Sequence, residues 1–73
     1  MYAKVIVGLN QPEMDKLFDY RIPEGMAVEI GVRVIVPFGS RNKKAEGYVI
    51  SLSEKTEVPA DKIKELLEVL DEG

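Results

Sequence analysis

Val32-Arg33-Val34-Ile35-Val36-Pro37-Phe38-Gly39-Ser40-Arg41-Asn42-Lys43-Lys44 carries the clearest structural signal in the chain. Four of its first five residues are β-branched, the side-chain type that suits a pleated, half-buried strand. Pro37 has no N–H to give to a ladder, so it belongs at a strand end or a sheet edge. Gly39 to Lys44 is too polar to bury and reads as a turn. Ala45 to Ser51 then resumes an apolar run through Tyr48-Val49-Ile50, so the two strands are expected to form a hairpin. Gly47, inside the second strand, predicts either a bulge or a close approach by another backbone.

Toward the N-terminus, Pro23-Glu24-Gly25-Met26 reads as a turn, with Gly25 available for a positive φ. Leu17-Phe18-Asp19-Tyr20-Arg21-Ile22 alternates until Pro23 stops it, and Tyr2 to Val7 is a Val- and Ile-rich strand ending at Gly8. Asn10 to Lys16 reads as the loop between them. Toward the C-terminus, Val58-Pro59-Ala60-Asp61-Lys62 looks like one short helical turn, with Asp61 placed near its N-terminus. Ile63, Leu66, Leu67 and Leu70 fit helical spacing, whereas Leu67 with Val69, or Leu66 with Glu68 and Leu70, fits alternation, and these residues alone leave both open. Short strands between Gly/Pro turns predict a mainly β fold, a small antiparallel β-barrel of OB or SH3-like size with a short helical turn near Asp61.

With 73 residues the chain is expected to be a single domain, 1–73. A domain this small buries only about 60% of the surface its unfolded chain exposes, so its core is modest. The composition, 45% hydrophobic and 32% charged, is that of a globular protein. Cysteine and histidine are both absent, which removes disulfides, thiol nucleophiles, imidazole bases and standard zinc sites. No metal and no cofactor are expected. No phosphate loop, dinucleotide fingerprint, nucleophile elbow or zinc-protease motif occurs, so catalysis by this chain is not expected. The first residues hold too short an apolar run for a signal peptide, and no stretch is long enough to span a membrane, so the cytoplasm is expected. The sequence stops directly after an apolar run, which reads as a fragment of a longer protein.

Net charge is −3, unevenly spread. Arg33, Arg41, Lys43 and Lys44 lie in a stretch without acids, while Glu54 to Glu72 holds seven acids against three lysines. Acid pairs such as Asp15 with Asp19, or Glu65 with Glu68, read as solvated surface and do not indicate a hydrolase. Two features carry more. In Phe18-Asp19-Tyr20 a strand places both aromatics on one face and the carboxylate on the other. They serve as core with Asp19 in water, or they line a pocket in which Asp19 accepts hydrogen bonds from a base edge or a sugar hydroxyl. The Gly39 to Lys44 loop is either a solvated hairpin tip, or a site where Gly39 admits a ligand to the backbone and Arg41, Lys43 and Lys44 hold phosphates.

Taken in order, the N-terminal strand, Phe18-Asp19-Tyr20, Pro23, Gly31 to Gly39 with its Val36-Pro37-Phe38-Gly39, Gly47-Tyr48-Val49-Ile50 and Leu66 to Asp71 resemble the amino-terminal DNA-binding domains of the bacterial replication-restart helicase PriA, primosomal protein N-prime. The resemblance covers nearly the whole chain. It implies binding of the 3′-terminal nucleotide of the nascent leading strand at a stalled fork, ahead of an ATP-driven helicase that lies outside this chain. It places the pocket aspartate on Asp19 with Phe18 and Tyr20 beside it, the glycine backbone contact on Gly39, and the pocket lysine on Lys64. It also implies a strand over Lys64 to Leu70 after the turn at Asp61. Leu9 to Lys16 departs from the family in being poorer in proline, and Glu13 and Asp15 add negative charge beside the proposed pocket.

A carboxylate repels phosphate but accepts a hydrogen bond from a free hydroxyl, so an Asp19 pocket implies selection for a 3′ end with tolerance of base identity. The partners implied are a fork with a 3′ hydroxyl end, helicase domains of the same chain and other primosome proteins, with no membrane. The alternative from another class is a small barrel that pairs its edge with a peptide or a neighbouring domain.

Overall fold

The structure, a computed structural model, describes residues 1–7 and 16–70. Its strands are β1 (Tyr2–Val7), β2 (Lys16–Arg21), β3 (Arg33–Phe38), β4 (Lys43–Ser53), β5 (Lys64–Glu65) and β6 (Glu68–Leu70), in one sheet of order β5-β2-β1-β4-β3-β6. The β3–β4 hairpin forms in the register Arg33↔Tyr48 to Phe38↔Lys43. Its turn is closed by the Asn42 N–H donating to the Gly39 carbonyl at 3.1 Å. Gly39 (φ +79°) and Asn42 (φ 52°) take the left-handed conformations this turn needs, which only glycine and a few residues such as asparagine adopt readily. β4 starts earlier than the apolar run alone predicts, because Lys43 and Lys44 pair through their backbones while both residues stay exposed. The loop expected between β1 and β2 lies outside the described residues, apart from Lys16, which opens β2.

Gly47 realises the close approach. A Cβ there would lie 2.5 Å from the Ile6 carbonyl oxygen and 2.7 Å from Val5 Cγ1. The bulge is separate and three residues on. Along β1 and β4, Val5 pairs with Val49 but Lys4 pairs with Ser51, so Ile50 is skipped. Skipping one residue exchanges the faces of everything beyond it. Val49 is buried before the bulge, Leu52 packs against the core after it, and Ser51 and Ser53 face outward.

The core is Ala3, Val5 and Val7 from β1, Tyr20 from β2, Val34 and Val36 from β3, Val49 from β4, and Leu66. Residues 64–70 close the sheet on itself at one end. β5 runs parallel to β2 and β6 antiparallel to β3, with Leu66 N–H donating to the Arg21 carbonyl (3.0 Å) and Leu67 N–H to the Ile35 carbonyl (2.8 Å). The ambiguous apolar run is therefore extended: alternation buries Leu66 and exposes Leu67. The turn expected at Asp61 is a single one, in which the N–H groups of Lys62 and Ile63 both donate to the Pro59 carbonyl. No helix is assigned among the described residues, and none is long and apolar enough to cross a membrane.

Tyr20 is 4% exposed and its hydroxyl donates to the Pro37 carbonyl at 3.0 Å, pinning β2 to the end of β3. Burial pushes its phenol up from 10.0 to about 12. Below pH 10 the phenol is neutral in both folded and unfolded chains and its contribution is constant. Between pH 10 and 12 the unfolded chain ionises first, so stability falls as pH rises through that window. Tyr20→Phe is expected to cost about 1 kcal/mol at neutral pH, for the lost hydrogen bond. The gap between wild type and variant should close above pH 10, read by urea unfolding of both proteins across the alkaline range.

Candidate functional site

β5 pairs with β2 only at Tyr20 and Arg21. Along Leu17 to Asp19, the edge of β2 opposite β1 thus has no strand partner among the described residues, and the barrel is not closed there. A cavity of about 540 Å³ fills this gap, bordered by Leu17 to Tyr20 on one side and Phe38 and Gly39 on the other. An uncovered strand edge shows both its faces. This is why Asp19, on the outer face, and Phe18 and Tyr20, on the inner face, border the same space. Phe18 and Phe38 meet edge to face in its lining, ring centroids 5.2 Å apart. Tyr20 belongs both to the core and to the cavity wall, while Asp19, expected in water if the aromatics serve as core, is part-buried and borders the same cavity.

The Asp19 carboxylate is held from two sides. Lys4, its partner across the β1–β2 ladder, lies at 3.3 Å from Oδ1. The Thr56 hydroxyl donates to Oδ2 at 2.6 Å and in turn accepts the Val58 N–H at 3.2 Å. A carboxylate offers about four lone-pair sites. Two are in use here, and its side chain, 17% exposed, faces the cavity with the rest.

Lys64 and Gly39, 25 residues apart, are joined directly: the Lys64 ammonium donates to the Gly39 carbonyl at 2.8 Å. That carbonyl also takes the Asn42 N–H, so both its lone pairs are engaged. A ligand at Gly39 must use its N–H or its bare Cα, while Lys64 keeps two of its three N–H donors. The structure therefore gathers Phe18, Asp19, Tyr20, Gly39 and Lys64 around one cavity. Arg41 and Lys43 line an adjoining depression of about 290 Å³ with Phe38 and Gly39. Lys44 is exposed and lies outside both linings. Glu13 and Asp15 fall outside the described residues.

Lys4, Thr56, Glu57, Val58 and Lys62 also border the cavity or its carboxylate and were not legible as site residues. Lys4 could be found by laying β1 against β2 antiparallel. Thr56 lies 37 residues from Asp19 in a polar loop and has no local signal. Among the described residues of the lining, Lys4, Lys62 and Lys64 outnumber Asp19 and Glu57, in a chain that is acidic as a whole. Apolar rings beside a fixed carboxylate and lysines suit a flat heterocycle bearing hydroxyl and phosphate groups. Among the described residues, no group of three or more His, Cys, Asp and Glu is arranged to hold a metal.

Residues 4–73 match the family described as the 3′ DNA-binding domain (3′BD) of PriA. The chain is 38% identical over 72 residues to the replication restart protein PriA of Bacillus subtilis (strain 168), covering 96% of the chain and 9% of that protein. It is 42% identical over 67 residues to PriA of Haemophilus influenzae, covering 92% and 9%. It is 35% identical over 74 residues to PriA of Synechocystis sp. (strain PCC 6803), covering 99% and 8%. The chain thus spans less than a tenth of the length of these relatives.

Proposed function

Because the chain belongs to the family of PriA 3′ DNA-binding domains, we propose that it binds the 3′-terminal nucleotide of a DNA strand, seated in the cavity between β2 and the end of β3. The observation that carries this reading is the Asp19 carboxylate, fixed by Lys4 and Thr56 with acceptor capacity left toward the cavity. A free 3′ hydroxyl donates to it. An internal nucleotide, or an end bearing a 3′ phosphate, brings negative charge and bulk to the same point and is rejected. Phe18 and Phe38 offer ring edges and faces to the base without reading its hydrogen-bonding pattern, so all four bases are accepted. Lys64 supplies donors to the sugar or base beside Gly39.

Within a longer replication-restart protein, such a domain reports the nascent leading-strand end at a stalled fork to helicase domains of the same chain and to other primosome proteins. The test is a binding titration of one oligonucleotide ending in a 3′ hydroxyl or a 3′ phosphate. The hydroxyl end is expected to bind more tightly by tenfold or more, on the order of the 1.5–3 kcal/mol of a hydrogen bond to a charged group. Equal affinity overturns the reading.

Arg41, Lys43 and Lys44 sit at the tip of the β3–β4 hairpin, where they contact phosphates without selecting the end. Neutralising all three with glutamine is expected to weaken hydroxyl-ended and phosphate-ended DNA alike. The slope of log K against log salt should fall by about 0.7–0.9 for each phosphate that is no longer neutralised. A partner bound by pairing to a strand edge would leave that slope nearly flat, so the same titration separates the two classes.

A further inference from the structure

Sharing Lys4, Asp19 and Glu57 with the first cavity is a second, of about 510 Å³, bordered also by Tyr2, Ser51, Ser53, Lys55 and Thr56. We propose that this cavity holds the phosphodiester that joins the terminal nucleotide to the one before it, with Lys55, Ser51 and Ser53 as its donors. The proposal rests on end recognition at Asp19.

The bulge builds this site. In an unshifted register Lys4 would face Ile50 and Tyr2 would face Leu52; skipping Ile50 sets Ser51 opposite Lys4 and Ser53 opposite Tyr2. The outer face thereby carries a continuous polar row, Asp19–Lys4–Ser51, across β2, β1 and β4. Bulges commonly re-aim side chains beside functional sites. Here the change is from two aliphatic side chains to two hydroxyls.

Each donor is available. Ser53 Oγ accepts the Lys55 backbone N–H at 3.1 Å, which leaves the serine proton to donate. The Lys55 ammonium has no ion-pair partner among the described residues. Lys4 at 3.3 Å from Asp19 Oδ1 offsets that carboxylate and Lys55 offsets Glu57, so the lining as a whole does not repel a phosphate. Lysine and serine are common phosphate donors in DNA complexes. A strand that presents its 3′ hydroxyl to Asp19 carries its preceding phosphate within one nucleotide of that side chain, and this cavity borders the same carboxylate.

The test pairs a change in the protein with a change in the DNA. Lys55→Gln and the double variant S51A/S53A are titrated with a hydroxyl-ended single strand, normal or carrying an uncharged methylphosphonate at its last linkage. Lys55→Gln is expected to weaken the normal strand about three- to tenfold at low salt and to lower the salt slope by about 0.7. It should cost nothing further on the methylphosphonate strand, because variant and modification remove the same interaction. The serine variant should behave in the same way with a smaller loss and an unchanged salt slope. All of these variants should keep the preference for a 3′ hydroxyl over a 3′ phosphate. Losses that add, or no loss with Lys55→Gln, overturn the phosphodiester site alone. Absence of that preference in the wild type overturns end recognition, and the site with it.

Discussion

Asp19→Ala is expected to bind a hydroxyl-ended strand roughly 10- to 100-fold more weakly than wild type, the loss of a hydrogen bond to a charged acceptor. Its affinity for the phosphate-ended strand should stay the same or rise, because the repelling charge is gone. The two effects together collapse the preference for a free end. The fold should survive, since the Lys4–Asp19 pair is partly solvated, and such pairs contribute about 0–1 kcal/mol. Asp19→Asn separates the two contributions. An asparagine keeps the shape, an acceptor oxygen and a partner for Thr56, but its neutral amide no longer repels phosphate. It should retain part of the hydroxyl affinity while losing most of the discrimination. Thr56→Val, which frees Oδ2 of Asp19, should weaken hydroxyl-ended binding a few-fold, and Thr56→Ser should restore it. Fluorescence anisotropy with the two ends reads all four variants. A preference that persists in Asp19→Ala would place end recognition elsewhere.

Strand positions were legible where each strand reports its own environment. The β-branched run before Pro37 and the alternation in β1 both follow from local burial, and both strands appear in the structure where the residues place them. The gathering of Phe18, Asp19, Tyr20, Gly39 and Lys64 followed from family resemblance, since nothing local links Gly39 to Lys64. Illegible from the residues were the features that depend on closure. Whether 64–70 is helix or strand is decided by the two open sheet edges it fills, at Arg21 and Ile35. The exposure of both faces of β2 depends on β5 being two residues long. A bulge is one of the two alternatives that Gly47 predicts, but the bulge falls at Ile50. A glycine marks where space is short, whereas a bulge needs only an extra residue and leaves no compositional mark.

The junction of Lys64 with Gly39 ties the cavity to the fold. The lysine follows directly on the turn at Pro59 and sits in β5, the strand that closes the barrel against β2. Its ammonium reaches the hairpin turn beside Phe38. One side chain thus spans the mouth of the cavity from the closing segment to the β3–β4 turn, so barrel closure and cavity width are set by the same residues.

Gly47→Val is expected to remove a large share of the chain's stability, read as a denaturation midpoint lowered further than in Gly47→Ala. At about 0.05–0.15 kcal/mol per residue, 73 residues have roughly 4–11 kcal/mol of stability. β4 lies between β1 and β3, hydrogen-bonded to both, so its backbone cannot retreat from the Ile6 carbonyl without breaking a ladder. Overpacking a tight site costs about 1–3 kcal/mol and occasionally more, and here the clash is with backbone at 2.5 Å. Gly47→Ala, with only the Cβ, should fold but with a clearly lowered denaturation midpoint. Gly39→Ala provides the contrast. Its Cβ would meet nothing within 4 Å, but the φ of +79° costs an L residue about 1–2 kcal/mol. Both alanine variants therefore destabilise, for different reasons, and only Gly39→Ala places its methyl where the proposed nucleotide would approach. Under conditions where both remain folded, Gly47→Ala should bind hydroxyl-ended DNA like wild type and Gly39→Ala should not. Equal binding by the two would mean that Gly39 serves the hairpin turn and not the nucleotide.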